Sequence, residues 1–377
     1  MPYDARNIAL LATIAALCAC AGDGDLIAPG QRLATVGRLE RGATIRLVAR
    51  DGLSPADSGV SDITITPAIA GAVNGSTVTL LLIGAVTVSA RASDGHPLST
   101  TFDVAIPPTV YFDAVAAGNR DVYSVALDGR GMVRRTTSPA DDAQPTVVAA
   151  AIVFVSTRDG NGELYSMPTA MGGAEQRLTT TVANESQPAF ASGGALLAYV
   201  SDASGAPRVY VAPTPLANAE RLTAAAFGSG GSIEASPTWS PTRDRIALIA
   251  TANGSSNLFI ASATAGMTPA AVAGSANGQT DAEPAWSPDG NHIAFASTRA
   301  GTMQIFLLDM KTGAARQLTN DALPAGQPGW LSDGRLVFTR FEAGGSTLWW
   351  VDPSESAPPT QIPTTGLAQT AHATGVH

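Results

Sequence analysis

EPAWSPDGNHIAFASTRAGTMQIFLLDMKTGAARQLTN, from Glu283 to Asn320, holds a complete alternation of strands and turns. A Pro-x-Trp segment leads into Ser287-Pro288-Asp289-Gly290. There Asp bonds the local backbone and Gly accepts a positive φ, which is the chemistry of a tight turn. The next run, Ile293 to Ser297, is apolar at nearly every position and too short for a helix, which predicts a strand buried on both faces. Arg299 to Gly301 turns the chain again into Met303 to Leu307, a second apolar strand carrying an aromatic. Arg316-Gln317-Leu318-Thr319-Asn320 closes the unit.

The same grammar recurs on both sides. The opening phrase stands at QPAF (Gln187 to Phe190), SPTW (Ser236 to Trp239), EPAW (Glu283 to Trp286) and QPGW (Gln327 to Trp330), and in reduced form at QPTV (Gln144 to Val147). Its prolines fall at 145, 188, 237, 284 and 328, in steps of 43, 49, 47 and 44. A period of that size marks a propeller or solenoid, and four strands per period specify a propeller blade. Val110 to Thr137 supplies only the last three strands of a unit. QIPTTGLAQTAHATG (Gln361 to Gly375) aligns on QLTNDALPAGQPGWLSDG, which puts Ala371-His372-Ala373 where the missing strand belongs. The C-terminal tail is therefore expected to supply the innermost strand of the first blade, removing the sheet edges that invite aggregation. At roughly 45 residues per unit, 107–377 is expected to hold six blades.

Composition agrees with an all-β chain: 38 Gly, 25 Pro and only 14% charged residues favour short strands and turns over long helices. A net charge of −9 with no Lys/Arg run argues against a nucleic-acid partner. The four histidines are scattered and share no metal-ligand spacing, so no metal or other cofactor is expected. Ile8 to Ala19 is an apolar run preceded by Arg6, too short to span a bilayer and suited to a signal-peptide core. It ends in Leu17-Cys18-Ala19-Cys20, which resembles a bacterial lipobox. That resemblance implies removal of 1–19, lipidation of Cys20, a membrane anchor there, and an Ala21 compatible with the outer membrane. Residues 20–30 read as a linker.

From 31 to 106 the chain carries short β-compatible runs, among them Ala43 to Gly52, Asp62 to Thr66, Ser76 to Leu82, Ala85 to Gly95 and Thr100 to Ile106. Alternation in VTVSA and FDVAI marks half-buried strands, and the spacing suits a small sandwich. The order of its strands and its Val-Asn-Gly turn resembles bacterial Ig-like domains, although Ile63 stands where that family often has tryptophan. Pro107-Pro108 marks the boundary.

Trp286 to Gly301, followed by QIF and RQLTN, resembles the TolB-like or WD40-like propeller repeat. The resemblance implies a six-bladed β-propeller closed by the C-terminal strand. TolB itself pairs its propeller with an N-terminal α/β domain that contacts the Tol machinery and is a soluble periplasmic protein. An Ig-like segment and a lipid anchor are expected in that place here, so no interaction residue is carried over.

Candidate chemistry is sparse. Asp289-Gly290 and Asp333-Gly334 are explained by turn geometry, and Trp239, Trp286 and Trp330 by packing between blades. Asp159 to Glu163 has alternating oxygen ligands but lacks the spacing of a calcium loop. Oligogalacturonate lyases and prolyl oligopeptidases have related propellers, yet the histidines of the former and the Gly-x-Ser-x-Gly elbow of the latter have no counterpart in this sequence. An enzyme is not expected. Loops joining second to third strands, and fourth strands to the next blade, share one face, so Arg158, Asp159, Asp202, Asn253, Arg299 and Arg340 are predicted to ring one channel mouth. The function expected is that of a cell-envelope lipoprotein whose propeller binds a protein or glycan. The alternative is a channel enzyme such as a polysaccharide lyase or hydrolase.

Overall fold

The computed structural model describes residues 31–36, 38–51, 57–58, 60–81, 83–94, 96–116, 118–224, 232–252, 254–272 and 279–375. The Ile8 to Ala19 run, Cys20, the linker and Asn253 lie outside them. Among the described residues no helix is long and apolar enough to cross a membrane. The chain divides into two compact units between Ile106 and Pro107.

Among its described residues the first unit has two sheets. One orders Gln31–Val36, Thr44–Asp51, Thr77–Leu80 and Gly71–Asn74, with Asp57–Ser58 added on Thr44–Asp51; the other orders Val60–Thr66, Gly84–Ala92 and Pro97–Val104. Their alternating residues meet in one core, Ile45, Leu47, Val78 and Leu80 from the first sheet against Ile65, Val86, Val88 and Val104 from the second. Ile63 packs at its margin.

Among its described residues the second unit has six four-stranded antiparallel sheets. Five run in chain order, and their innermost strands are Asp142–Val148, Glu185–Phe190, Ile233–Trp239, Asp281–Trp286 and Ala325–Trp330. The sixth is assembled from both ends of the unit: Ala368–Thr374 pairs with Thr109–Ala116, Ala371 opposite Asp113 and Thr374 opposite Tyr111. This is the strand to which the tail alignment assigns Ala371-His372-Ala373. Gly329 makes room for it, because a Cβ there would stand 2.2 Å from the Ala373 carbonyl oxygen.

Each sheet is centred on a cross-strand pair between its second and third strands. Phe112 faces Tyr123, Phe154 Tyr165, Tyr199 Tyr210, Leu248 Phe259, Phe295 Phe306 and Phe338 Trp349. Phe112, Phe154, Phe295 and Phe338 are fully buried, each contributing about 2–3 kcal/mol by removal from water. Trp239 and Trp330 donate their indole N–H across to the preceding innermost strand, at Ala189 and Ala285, both at 3.0 Å. The tryptophans thus tie sheet to sheet. Asp289 and Asp333 accept turn amides, from Asn291 at 3.0 Å and Arg335 at 3.1 Å, next to Gly290 and Gly334 at φ 75° and 87°.

Candidate functional site

Every innermost strand carries a β-bulge at the residue before, or equivalent to before, the repeat proline. Register shifts fall between Ala143 and Thr146, Ser186 and Ala189, Ala235 and Thr238, Ala282 and Ala285, and Gly326 and Gly329. At each, one residue takes a left-handed backbone: Gln144 (φ 54°), Gln187 (51°), Ser236 (51°), Glu283 (52°), Gln327 (53°) and, in the closing strand, His372 (48°). Bulges re-aim side chains, and here they turn six residues into one cavity of about 190 Å³ on the unit's axis. A second cavity of about 160 Å³, lined by the turn residues Ser240, Ser287 and Ser332, shares Thr146, Ala189, Thr238 and Trp286 with it, so the two form one channel.

Four direct hydrogen bonds link these six residues in two runs. Gln144 Oε1 accepts the Gln187 amide at 2.8 Å, Gln187 Oε1 the Ser236 amide at 2.7 Å, Glu283 Oε2 the Gln327 amide at 2.6 Å, and Gln327 Oε1 the His372 amide at 3.1 Å. Asp113, from the neighbouring strand, completes the turn by accepting the Gln144 amide at 2.9 Å. Ser236 is too short to continue the series, and among the described residues no side chain reaches the Glu283 amide.

Charge is confined to one sector. His372 Nδ1 bonds the fully buried Asp113 at 2.8 Å, its Nε2 stands 3.1 Å from Gln327 Nε2, and Arg120 holds the other Asp113 oxygen. Burial opposes charge on His372, but the Asp113 carboxylate and its hydrogen bond outweigh it and raise the imidazole pKa. Burial also pushes the Glu283 carboxyl up, against the lowering effect of the Gln327 amide and His372. Among the described residues no group of three or more His, Cys, Asp or Glu could hold a metal ion.

Of the predicted rim residues that are described, Arg158, Asp159 and Asp202 lie between strands and Arg299 and Arg340 near the ends of the strands His292–Ala300 and Leu336–Glu342, and each is engaged by neighbouring protein groups. Arg158 bonds Asp142 at 3.0 Å, Ser156 at 2.7 Å and Glu175; Arg299 repeats the pattern with Asp281 at 3.0 Å and Ser297 at 2.9 Å. Arg340 pairs with Asp321 and lies 3.8 Å over the Trp349 ring. Asp159 takes the Tyr165 hydroxyl and faces Arg177 at 3.3 Å, while Arg177 also holds Glu163 at 2.8 Å, so an arginine occupies the loop that faintly resembles a calcium site. Asp202 accepts the Asn184 amide at 2.8 Å, and its bonds to Asn184 lower its pKa. These groups brace the loops. The bulge residues face the channel instead, and their sequence signal is the Gln, Ser or Glu before each repeat proline.

Three comparisons bear on the fold. The family model for the TolB beta propeller domain matches residues 224–371. Among curated proteins no sequence matches this chain. Solved structures similar to it include TolB from Acinetobacter baumannii, at 16% identity over 78% of this chain and 79% of that one with a TM-score of 0.62. A putative TolB from Agrobacterium tumefaciens matches at 16% identity over 70% and 91%, with a TM-score of 0.56. Hydrazine synthase of Kuenenia stuttgartiensis matches at 12% over 71% and 46%, with a TM-score of 0.57. The chain has a TolB-like β-propeller fold, with residues 224–371 matching the TolB beta propeller domain model.

Proposed function

We propose that this is a cell-envelope lipoprotein, anchored at Cys20, whose Ig-like first unit is a spacer and whose six sheets are the blades of a propeller that binds a protein or glycan at one channel mouth. The observation that carries the reading is the cavity at that mouth: six side chains are turned into it by a repeated bulge. The same ends of the sheets hold the exposed apolar residues Val182 and Leu323, in loops, and Phe341, near the end of the strand Leu336–Glu342. Polar groups at the floor of a pocket with apolar residues near its entrance suit recognition. The envelope location follows the likeness to TolB structures and the lipobox-like Cys20.

Two measurements test it. Photo-crosslinking residues placed at Val182, Leu323 and Phe341 are expected to capture one common partner in intact cells. The same probe at Met171, in a loop joining third and fourth strands at the opposite ends of the sheets, is expected to capture none; equal capture from both would remove the mouth as the site. Radiolabelled palmitate is expected in the wild type and absent from Cys20→Ala, and equal labelling would remove the anchor.

One observation favours a second reading. His372, bonded to the buried Asp113, lines the channel, and a carboxylate-oriented imidazole can act as a general base in a lyase or hydrolase. Turnover of a polysaccharide or peptide that vanishes in His372→Gln would support it, and turnover persisting in that variant would end it.

A further inference from the structure

The ring asks one thing of each member, a side-chain oxygen that reaches the next strand's amide. Gln144, Gln187 and Gln327 provide it with a neutral carboxamide. Glu283 provides it with Oε2 alone, which leaves Oε1 and a negative charge beyond the structural requirement. Among the described residues Glu283 takes part in no ion pair. The positive charge available to His372 is met by Asp113, which also holds Arg120. Burial that raises the Glu283 carboxyl means that this group gains from a cation brought to it.

Its neighbours restrict what that cation can be. Ser236 stands on the adjacent innermost strand and lines the same cavity as Glu283, and its hydroxyl has no hydrogen-bond partner among the described residues, so the series is open at the Glu283 amide. Phe341 is on the other side. A Cβ on Gly326 would be 3.0 Å from Glu283 Oε2 and 3.1 Å from Phe341 Cε2, so carboxylate and ring flank one glycine. Phe341 is 38% exposed.

A divalent metal asks for more oxygen ligands than one carboxylate and a hydroxyl. A guanidinium prefers both carboxylate oxygens in its fork, and Oε2 is already committed. An ammonium needs one strong acceptor, tolerates a hydroxyl as the second, and carries methylenes that can lie on an aromatic ring.

We propose that the channel mouth binds a primary alkylammonium, carried by a small amine or by a lysine side chain, its charge against Glu283 Oε1 and Ser236 Oγ and its stem over Phe341. The proposal rests on reading this mouth as a binding site. The purified chain is titrated with n-propylammonium chloride and with N-acetyl-lysine amide at constant ionic strength, using chemical shifts or heat, with sodium chloride, n-propanol and n-propylguanidinium as comparisons.

Saturable binding of an amine is expected, weakened by about tenfold or more in Glu283→Gln. That variant retains the acceptor for Gln327, and circular dichroism checks its fold. Ser236→Gln, which fills the gap, is expected to lose binding too. Saturation by both compounds identifies a small-amine site and saturation by the lysine compound alone a side-chain site; either supports the ammonium assignment. Equal binding in wild type and Glu283→Gln, equal binding of n-propylguanidinium, or absence of saturation by both amines overturns it. If partner capture at the mouth persists in that case, only the ammonium assignment falls. If capture is lost while amines still bind, the docking reading falls instead.

Discussion

Glu283 does two things that conflict. Its Oε2 joins neighbouring sheets through the Gln327 amide, while its charge sits where burial disfavours it. A carboxyl whose folded pKa lies above the unfolded one contributes stability fully below the unfolded pKa, and that contribution fades as pH rises through the folded pKa. At neutral pH the ionised group is therefore a cost. Glu283→Gln keeps the acceptor and deletes the charge, so its melting temperature is expected to exceed that of the wild type at neutral pH. The advantage should shrink to nothing as pH falls below the ordinary carboxylate range. Thermal melts across that range check it, and a variant no more stable than the wild type at neutral pH would mean the charge is compensated within the fold. A site that destabilises its own scaffold is expected where a ligand is to supply the missing charge.

Among the elements, the short fourth strands show how a few residues can hold a sheet edge. Thr136, Thr179 and Thr319 each accept the amide of a residue in the third strand, Val122 at 3.0 Å, Leu164 at 2.9 Å and Ile305 at 2.9 Å. The Thr319 hydroxyl donates on to Gln304 at 2.7 Å. Thr319→Val keeps the shape and strands the buried Ile305 N–H and Gln304 carbonyl. The expected loss is about 1–3 kcal/mol, read from a urea midpoint; an unchanged midpoint would show the strand is held by packing alone. The closing phrase Arg316 to Asn320, the Pro-x-Trp phrase and the apolar second strands were all legible before the structure, because period and burial leave marks in residue type. The channel ring was not. Strand alternation assumes regular pleating, and a bulge with φ near 50° turns Gln144 or Glu283 in a direction that alternation cannot supply. His372 was hidden further, since no proline or tryptophan marks its strand and a gap-free alignment of the tail sets Ala371, not His372, opposite Gln327. The partners of Arg158 and Arg299 were not legible either. Those partners, Asp142 and Asp281, open innermost strands and become contacts only once the second strand folds back.

At the scale of the whole propeller, stability depends on a contact between its two ends in sequence. Ala368–Thr374 is held to Thr109–Ala116 by strand pairing and to the last sheet by the His372 amide on Gln327 and the Ser346 hydroxyl on the Thr370 carbonyl at 2.7 Å. Val110, Phe112 and Ala373 join Leu331, Val337 and Leu348 in one core across that seam. Such closure is bought with a long loop, so it forms late and lends the ring cooperativity. Deleting residues from Gly366 onward in the full chain removes the strand, exposes the edge of Thr109–Ala116 and uncovers that core. A sharp fall in melting temperature with aggregation is expected. Adding a synthetic peptide of residues 366–377 is expected to restore part of the loss, because the edge it must fill is already shaped by the remaining strands. The peptide carrying His372→Ala should restore less, having lost the bond to Asp113. An unchanged melting temperature after deletion would mean that sheet-to-sheet packing closes the ring without the seam, and the tail would then be only a lining of the channel.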